Sequence, residues 1–212
     1  MAEWEINNNG QYVIEGKNYD RATKVIHAIL PHFELEEWRR RVGEEEADRI
    51  SQQTAFEGEL IHLITLYADF KMWKEIDKLL NSYSWLQPHM LAWMAWVEEM
   101  RVKWICREKV YHNRKDRIAG RIDGVGYIAD NKYPTIVDIK SGSLHDSIGI
   151  QVWGAYRELY NMQVIKSVRA KYALVVQLPR SAPGELHTRD YTKERYIEKW
   201  EEIKRQYISL YR

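Results

Sequence analysis

The sequence predicts an α/β or α+β protein with a helical N-terminal half and a sheet in its C-terminal half. Two observations lead to this prediction. Before Val102 the apolar residues recur at helical spacing, and after it they form short β-like runs that turn residues separate. A chain of 212 residues is also long enough to bury a substantial core within one domain.

The N-terminal half is predicted to open with a hairpin and to continue in helices. The polar turn 7–10 separates the hairpin strands, and Pro31 stops the first helix because proline cannot continue one. Pro88 opens a later helix, in which Leu91 and Trp93 are among the side chains expected to face inward. The predicted ranges are 4–6 and 12–14 for the hairpin strands, 22–29 for the first helix, and 34–83 for a long helical stretch that is broken in places.

The C-terminal half is predicted to form a three-strand meander, a helix, a fourth strand, an extended segment and a final amphipathic helix. The predicted ranges are 104–112, 118–129 and 135–140 for the meander, 146–160 for the helix, 168–178 for the fourth strand and 185–191 for the extended segment. We therefore expect an N-terminal region, 1–100, packed on a core region, 101–212, the two together forming one compact domain.

The composition excludes several kinds of site and location. The single cysteine, Cys106, cannot form an intramolecular disulfide or an all-cysteine zinc or iron–sulfur site. The first ten residues are polar, unlike a signal peptide, and no apolar run approaches the roughly 20 residues of a membrane helix. We therefore expect a cytoplasmic protein without a membrane partner.

The charged residues are unevenly distributed. The net charge is only +1, so bulk charge does not attract polyanions. Between Arg101 and Arg121, however, eight basic residues are opposed by only two acidic ones, Glu108 and Asp116. Such an excess is typical of a solvated hairpin or of a phosphate-facing surface, and the sequence leaves both interpretations open.

Two carboxylates and a lysine are predicted to share one face of the meander. If the turn between the second and third strands centres on 130–131, Asp123 lies opposite Asp138. If that loop is two residues longer, Asp123 lies opposite Lys140 instead. Alternation puts all three side chains on one face in either register. The set is typical of an exposed, salt-bridged sheet or, because the neighbouring residues are apolar, of a buried functional cluster.

A buried cluster of this composition suits phosphodiester hydrolysis. Paired carboxylates bind Mg²⁺ or Mn²⁺ and leave positions open for water and phosphate. A lysine two residues beyond a ligand carboxylate can orient the attacking water and stabilise the developing charge. The main-chain carbonyl of Ile139, between Asp138 and Lys140, is a further candidate ligand.

Several short motifs follow one another in a defined order. They are Gly58-x-x-x-His62, Gly120-Arg121-Ile122-Asp123-Gly124, Asp138-Ile139-Lys140-Ser141-Gly142, and Gln151 with Tyr156. This ordered set resembles the RecB-type branch of the PD-(D/E)XK nucleases, which includes small bacteriophage and recombination-associated enzymes. The resemblance covers about 21–178, and the ordered set is far more specific than any one motif.

The resemblance implies a restriction-endonuclease-like core, a central mixed sheet flanked by helices, with a role for each matched residue. Asp123 and Asp138 resemble the family's metal-binding carboxylates, and Lys140 resembles its catalytic lysine. His62 resembles a further metal ligand, supplied by the N-terminal region; taken alone, it would be a core histidine. Gly58 lies one helical turn before His62, where a missing side chain lets the helix approach the site.

The resemblance also implies residues that face DNA or support the site, namely Gln151, Tyr156, Arg121 and Ser141. Gln151 and Tyr156 are five residues apart, while the branch usually shows four. On an α-helix the extra residue rotates Tyr156 away from its expected place, and simple helix packing is the alternative role.

Glu108 is a candidate extra acid at the metal site. A turn centred near 114–115 places Glu108 opposite Arg121 and on the face of Asp123. A structural ion pair with Arg121 is the competing role, and the spacing favours it.

The function that the resemblance implies is a Mg²⁺- or Mn²⁺-dependent deoxyribonuclease, without an iron–sulfur cluster, in bacterial or phage DNA recombination, repair or processing. We favour an exonuclease over an endonuclease, acting in the host cytoplasm if phage-encoded. Members of the branch also form rings or work with helicase and recombination proteins, so the expected partners extend from DNA to such proteins and to further copies of the chain.

Two alternative functions remain at this point. One is a catalytically silent DNA-binding or assembly module with the same fold, against which the intact set of two carboxylates and a lysine argues. The other is a metal-dependent hydrolase of small phosphoesters, which a deep closed pocket would favour and an open basic groove would not.

Overall fold

In the computed structural model, which describes residues 4–31 and 33–212, a mixed eight-stranded sheet is flanked by helices. The predicted α/β (α+β) class is confirmed. The strands are β1 (Trp4–Ile6), β2 (Tyr12–Ile14), β3 (Lys17–Arg21), β4 (Lys103–Asn113), β5 (Ile118–Tyr127), β6 (Thr135–Lys140), β7 (Tyr172–Gln177) and β8 (His187–Asp190).

Helices precede the long strands of the sheet and follow β6. They are α1 (Ala22–Ile29), α2 (Phe33–Val42), α3 (Glu44–Asp69), α4 (Trp73–Ser82), α5 (Gln87–Glu99), α6 (Asp146–Gly149), α7 (Arg157–Gln163) and α8 (Glu194–Tyr211). A π-helical segment, Ile150–Tyr156, joins α6 to α7. No described helix combines the length and apolarity needed to cross a membrane.

β5 is the central strand of the sheet. It pairs with β4 along its whole length at one edge; at the other edge it pairs with β3 near its start and with β6 near its end. β7 and β8 extend the sheet beyond β6, and β1 and β2 extend it beyond β3. The pairs β3–β5 and β6–β7 are parallel and the others antiparallel. Residues on β5 and β6 therefore lie inside the sheet.

Helices cover both faces of the sheet. On one face, α3 and α5 contribute Ile61 and Trp93 to an apolar cluster that also contains Val137 and Ile139 of β6. On the other face, α1, α8 and the helix over 146–163 form a second cluster with β5 and β7. Apolar burial of this kind is the main stabilising contribution to such a fold. The region 1–100 thus shares its apolar cores with the region 101–212.

Local sequence explains where the N-terminal helices end. Leu30 is extended, as the residue before Pro31 tends to be, so α1 ends at Ile29. Gly43, with φ +92, separates α2 from α3 in a backbone conformation that favours glycine. With a second break at 70–72, between α3 and α4, the predicted stretch 34–83 is three α-helices.

Three details differ from the predicted elements. β3 is additional; its sequence is largely polar and only Tyr19 and Asp20 are buried, so it lacks strand-like alternation. The fourth strand of the core begins at Tyr172, because Lys166–Val168 forms a 3₁₀ turn. Leu91 is exposed, since α5 buries the face that carries Trp93.

Candidate metal centre

The two candidate carboxylates stand on neighbouring antiparallel strands. Gly124 pairs with Val137, and the same register continued by one residue sets Asp123 opposite Asp138. This confirms the register predicted for the shorter turn. Both carboxylates are buried, with exposed fractions of 6% for Asp123 and 1% for Asp138. Asp123 Oδ2 accepts a hydrogen bond of 2.7 Å from the main-chain N–H of Ile139, which ties the two strands together at this point.

Lys140 is held against the deeper carboxylate. Its Nζ lies 2.7 Å from Asp138 Oδ2. Burial raises the pKa of Asp138 to about 6, although the Lys140 ammonium opposes this and Asp123 adds to it. Burial lowers the pKa of Lys140, but the Asp138 and Asp123 carboxylates outweigh it, so that the pKa of Lys140 is raised and the ammonium keeps its proton.

Three potential ligand atoms, from His62, Glu108 and Asp123 on three different elements, lie close together. His62 Nδ1 of α3 lies 3.6 Å from Glu108 Oε1 of β4 and 3.6 Å from Asp123 Oδ2 of β5. These distances are too long for hydrogen bonds, and the ligand atoms lie within 4.8 Å of one another. His62 Nδ1 and Glu108 Oε1 are buried without a hydrogen-bond partner among the described residues. Because such atoms need a partner, this donor set fits a small divalent cation.

The histidine responds to the negative charge around it. Burial lowers the pKa of His62, but the Asp123 and Glu108 carboxylates outweigh burial and raise it. Protonated His62 therefore partly neutralises the charge of the two carboxylates. Nδ1 must lose its proton before it can bind a cation.

Glu108 lies opposite a residue two positions from the one that the predicted turn gave it. Val110, not Glu108, pairs with Arg121, and the same register sets Glu108 opposite Asp123. The predicted pairing is wrong because the hairpin loop has four residues, 114–117. Asn113 shapes this loop, since its Oδ1 accepts hydrogen bonds from the main-chain N–H groups of residues 115 and 116.

The Glu108 carboxylate has two neighbours at once. Its Oε2 lies 3.0 Å from Arg121 Nε, while its Oε1 faces His62. The backbone of Glu108 is left-handed, with φ +47, which is costly for a residue with a side chain and is common at functional sites. Glu108 thus makes the expected ion pair and also points a free oxygen into the cluster.

Gln151 and Tyr156 lie next to each other in spite of their five-residue spacing. Gln151 Nε2 donates to Tyr156 Oη over 2.8 Å and, more weakly, to Asp138 Oδ1 over 3.4 Å. The expected rotation of Tyr156 is wrong because these residues lie in a π-helical segment, whose hydrogen bonds join residues five apart. Tyr156 is buried, and burial together with Asp138 and Asp123 raises its pKa well above the ordinary value, so the phenol stays protonated.

The close approach expected at Gly58 is present. A Cβ on Gly58 would lie 3.3 Å from Ser141 Oγ, which is tighter than ordinary van der Waals contact. Arg180 links the same two segments, donating through Nη1 to Glu57 Oε2 over 2.7 Å and through its main-chain N–H to the carbonyl of Ser141 over 3.2 Å. These contacts hold α3, and with it His62, against the end of β6.

A cavity of about 220 Å³ opens beside Lys140, between α1 and the loop that follows β6. Seven of its ten lining residues carry polar side chains, and none of the ten is acidic. The lining side chains include Thr23 and His27 of α1, Ser143 and His145 of the loop, Ser147 of α6, and Gln151. The cavity therefore offers hydrogen-bond donors next to the candidate lysine.

The basic stretch 101–121 is only partly available to a ligand. Four of its eight basic side chains pair with carboxylates: Arg101 with Asp130, Arg107 with Asp69, Arg114 with Glu15, and Arg121 with Glu108. Arg107 is buried, whereas Lys103, Lys109 and Lys115 are exposed. The exposed positive surface is therefore smaller than the sequence suggests.

Sequence reasoning missed the buried residues behind the cluster. Arg107 and Asp69 form an ion pair with side-chain exposures of 1% and 4%, and Thr65 is fully buried nearby. One signal was visible: Thr65 and Asp69 follow His62 by three and seven residues, spacings that share a helix face. No pattern in the sequence connects that face to Arg107.

Comparison with known proteins adds little to this geometry. No protein-family model matches the sequence, and no curated protein matches it. Among solved structures, the chain is similar to the crystal structure of SSO0001, with 13% identity and a TM-score of 0.42, over 92% of this chain and 78% of that one. A similarity at this level carries no argument about function.

Proposed function

We propose that this chain is a metal-dependent DNA nuclease that hydrolyses phosphodiester bonds in DNA recombination, repair or processing. The observation that carries the proposal is the buried convergence of His62 Nδ1, Glu108 Oε1 and an oxygen of Asp123, beside the ion pair of Asp138 and Lys140. A site that only stabilised the fold would give His62 Nδ1 and Glu108 Oε1 hydrogen-bond partners, because buried polar atoms without partners destabilise a fold.

The donor set supports Mg²⁺ or Mn²⁺ as the cofactor. Asp123, Glu108 and His62 would hold the ion, with Asp138 and the carbonyl of Ile139 as further ligands. Carboxylate and carbonyl oxygens suit both ions, and one imidazole nitrogen shifts the preference toward Mn²⁺. When bound, such an ion lowers the pKa of its water and neutralises negative charge on the phosphate.

The protein side chains would position and polarise the substrate. Lys140 Nζ, fixed by Asp138, donates a hydrogen bond to a phosphate oxygen or to the attacking water and stabilises the charge that develops. Gln151 steadies Asp138 from the opposite side while Tyr156 orients Gln151. Because these groups are already in place, little reorganisation accompanies the reaction.

DNA is the substrate class that the surroundings support best. The cavity beside Lys140, about 220 Å³, falls below the roughly 300–1,000 Å³ of pockets that enclose small ligands. Its hydroxyl and imidazole groups suit the sugar–phosphate of one nucleotide beside the bond that is cut. Lys103 and Lys109, which are exposed on β4, add positive charge that would attract the rest of the DNA strand.

The test is incubation of the purified chain with end-labelled linear duplex DNA and with closed circular DNA, each with Mn²⁺ and with a chelator. We expect Mn²⁺-dependent degradation of linear DNA, with circular DNA resistant if the enzyme is an exonuclease. Binding without cleavage of either DNA would favour a silent module, and neither binding nor cleavage would contradict the proposal.

A further inference from the structure

Arg107 connects the main chains of two residues that converge at the candidate metal centre. Its Nε donates to the carbonyl of Asp123 over 2.8 Å. Its Nη2 donates to Thr65 Oγ1 over 3.4 Å, and that hydroxyl donates to the carbonyl of His62 over 2.8 Å. A continuous chain of hydrogen bonds thus runs from Asp123 on β5 to His62 on α3.

The guanidinium of Arg107 is held firmly in this position. Its Nη1 forms the buried ion pair with Asp69, whose other oxygen accepts a hydrogen bond of 3.0 Å from Trp93 Nε1. The guanidinium carbon also lies 5.1 Å from the ring centre of Trp93 and 4.7 Å from that of Trp104. All three branches of the fork are used, which a lysine could not reproduce.

The neighbouring backbone is adapted to this arrangement. A Cβ on Gly124 would lie 3.2 Å from Arg107 Cδ and 2.6 Å from Trp104 Cζ3, so any side chain there would displace both. A buried ion pair rarely stabilises a fold more than well-packed apolar residues do. The placement of Arg107 is therefore better explained by what it positions than by stability.

We infer that Arg107 and Thr65 are positioning residues that set the distance between His62 and Asp123 at the metal centre. The inference rests on the proposed function, since it gives the spacing of these two side chains a purpose. His62 Nδ1 and Asp123 Oδ2 are 3.6 Å apart, and no direct bond joins them. With these hydrogen bonds intact, His62 and Asp123 are already in place before the cation binds, which reduces the free-energy cost of binding it.

The test compares two buried threonines by calorimetric titration of the full chain with Mn²⁺. Thr65→Val removes the hydroxyl at nearly constant volume, and we expect Mn²⁺ affinity to fall by roughly tenfold, at the lower end of the range for outer-sphere partners. Thr135→Val is the matched control, because the Thr135 hydroxyl is also buried but has no partner among the described residues. Thr65→Ser should retain wild-type affinity.

A second readout separates positioning from a general loss of structure. The EPR spectrum of bound Mn²⁺ should change in Thr65→Val and in Arg107→Lys but not in Thr135→Val, with circular dichroism unchanged in both threonine variants. Equal affinities and spectra for Thr65→Val and Thr135→Val would overturn the inference while leaving the proposed function standing. Absence of Mn²⁺ binding by the wild-type chain would contradict the proposed function, and the inference with it.

Discussion

Gln151 donates a hydrogen bond of 2.8 Å to the hydroxyl of Tyr156, five residues later, across a π-helical segment. An α-helix would turn these two side chains to different faces. Single π turns inside α-helices are rare and are frequent at functional sites. Here the π turn absorbs the extra residue and keeps both side chains beside Asp138.

This relationship predicts a small and specific effect of Tyr156→Phe. Without the hydroxyl, the Gln151 amide loses its best acceptor and holds Asp138 less firmly. We expect turnover to fall about fivefold, as the loss of one hydrogen bond of about 1 kcal/mol implies. The control is Tyr160→Phe, whose hydroxyl donates to the carbonyl of Val168 outside the site and whose loss should leave turnover unchanged. Equal turnover in both variants would contradict the role of Tyr156.

Lys140→Ala should separate chemistry from binding. The ammonium acts on the charge that develops during reaction, so we expect turnover to fall on the order of 10²–10³-fold while DNA affinity changes little. Lys109→Ala is the comparison, since Lys109 is exposed on β4 and should affect only affinity. Single-turnover cleavage and filter binding measure the two quantities, and parallel losses in Lys140→Ala would remove its chemical role.

His62→Ala should weaken Mn²⁺ binding by about tenfold or more, because it removes a direct ligand atom. His112→Ala is the control, because His112 is also half-buried but its ring packs against Tyr19 and is not part of the cluster. Calorimetry with Mn²⁺ compares the two variants, and an unchanged isotherm for His62→Ala would assign His62 to the core.

The raised pKa of Asp138 predicts how the stability of the metal-free protein depends on pH. Its pKa in the folded state, about 6, lies above its ordinary value of 3.8, so the folded chain holds this proton more tightly than the unfolded chain does. The stabilisation from protonated Asp138 is complete below pH 3.8 and is lost as pH rises through about 6. Across that window the loss is on the order of 2–3 kcal/mol at most.

Asp138→Asn isolates this contribution, because the amide carries no titrating proton. We expect thermal unfolding in a chelator to show the wild-type melting temperature falling, relative to Asp138→Asn, between pH 4 and pH 7. Parallel profiles for the two proteins across that range would show that Asp138 titrates near its ordinary value.

The positions of the candidate carboxylates on the strands were predictable in part from side-chain alternation. Side-chain alternation reduced the register between β5 and β6 to two possibilities, and the structure has the one that sets Asp123 opposite Asp138. The predicted register of Glu108 is wrong because the sequence pattern does not give the length of the loop between β4 and β5. The loop length there depends on the side chain of Asn113, which strand patterns do not report.

The parts that escaped prediction depend on contacts between distant segments. Arg107 lies 42 residues from Thr65 in the chain, and only the folded sheet brings its guanidinium beneath α3. The π turn at Gln151 is equally hidden, since the same apolar spacing is compatible with an α-helix. Buried ion pairs and helix irregularities depend on tertiary packing, and the hydrophobic periodicity of a sequence does not report it.

Metal-stimulated cleavage of linear DNA by Asp123→Ala tests the central claim most directly. Asp123 contacts the strand of Asp138 and lies within the cluster of His62 and Glu108, so its loss removes a ligand. Asp20→Asn is the control, because Asp20, on β3, is also a buried carboxylate and forms an ion pair with Arg212 away from the cluster. We expect cleavage to disappear in Asp123→Ala and to persist in Asp20→Asn, with both variants folded by circular dichroism. Cleavage at the wild-type rate by folded Asp123→Ala would contradict the account.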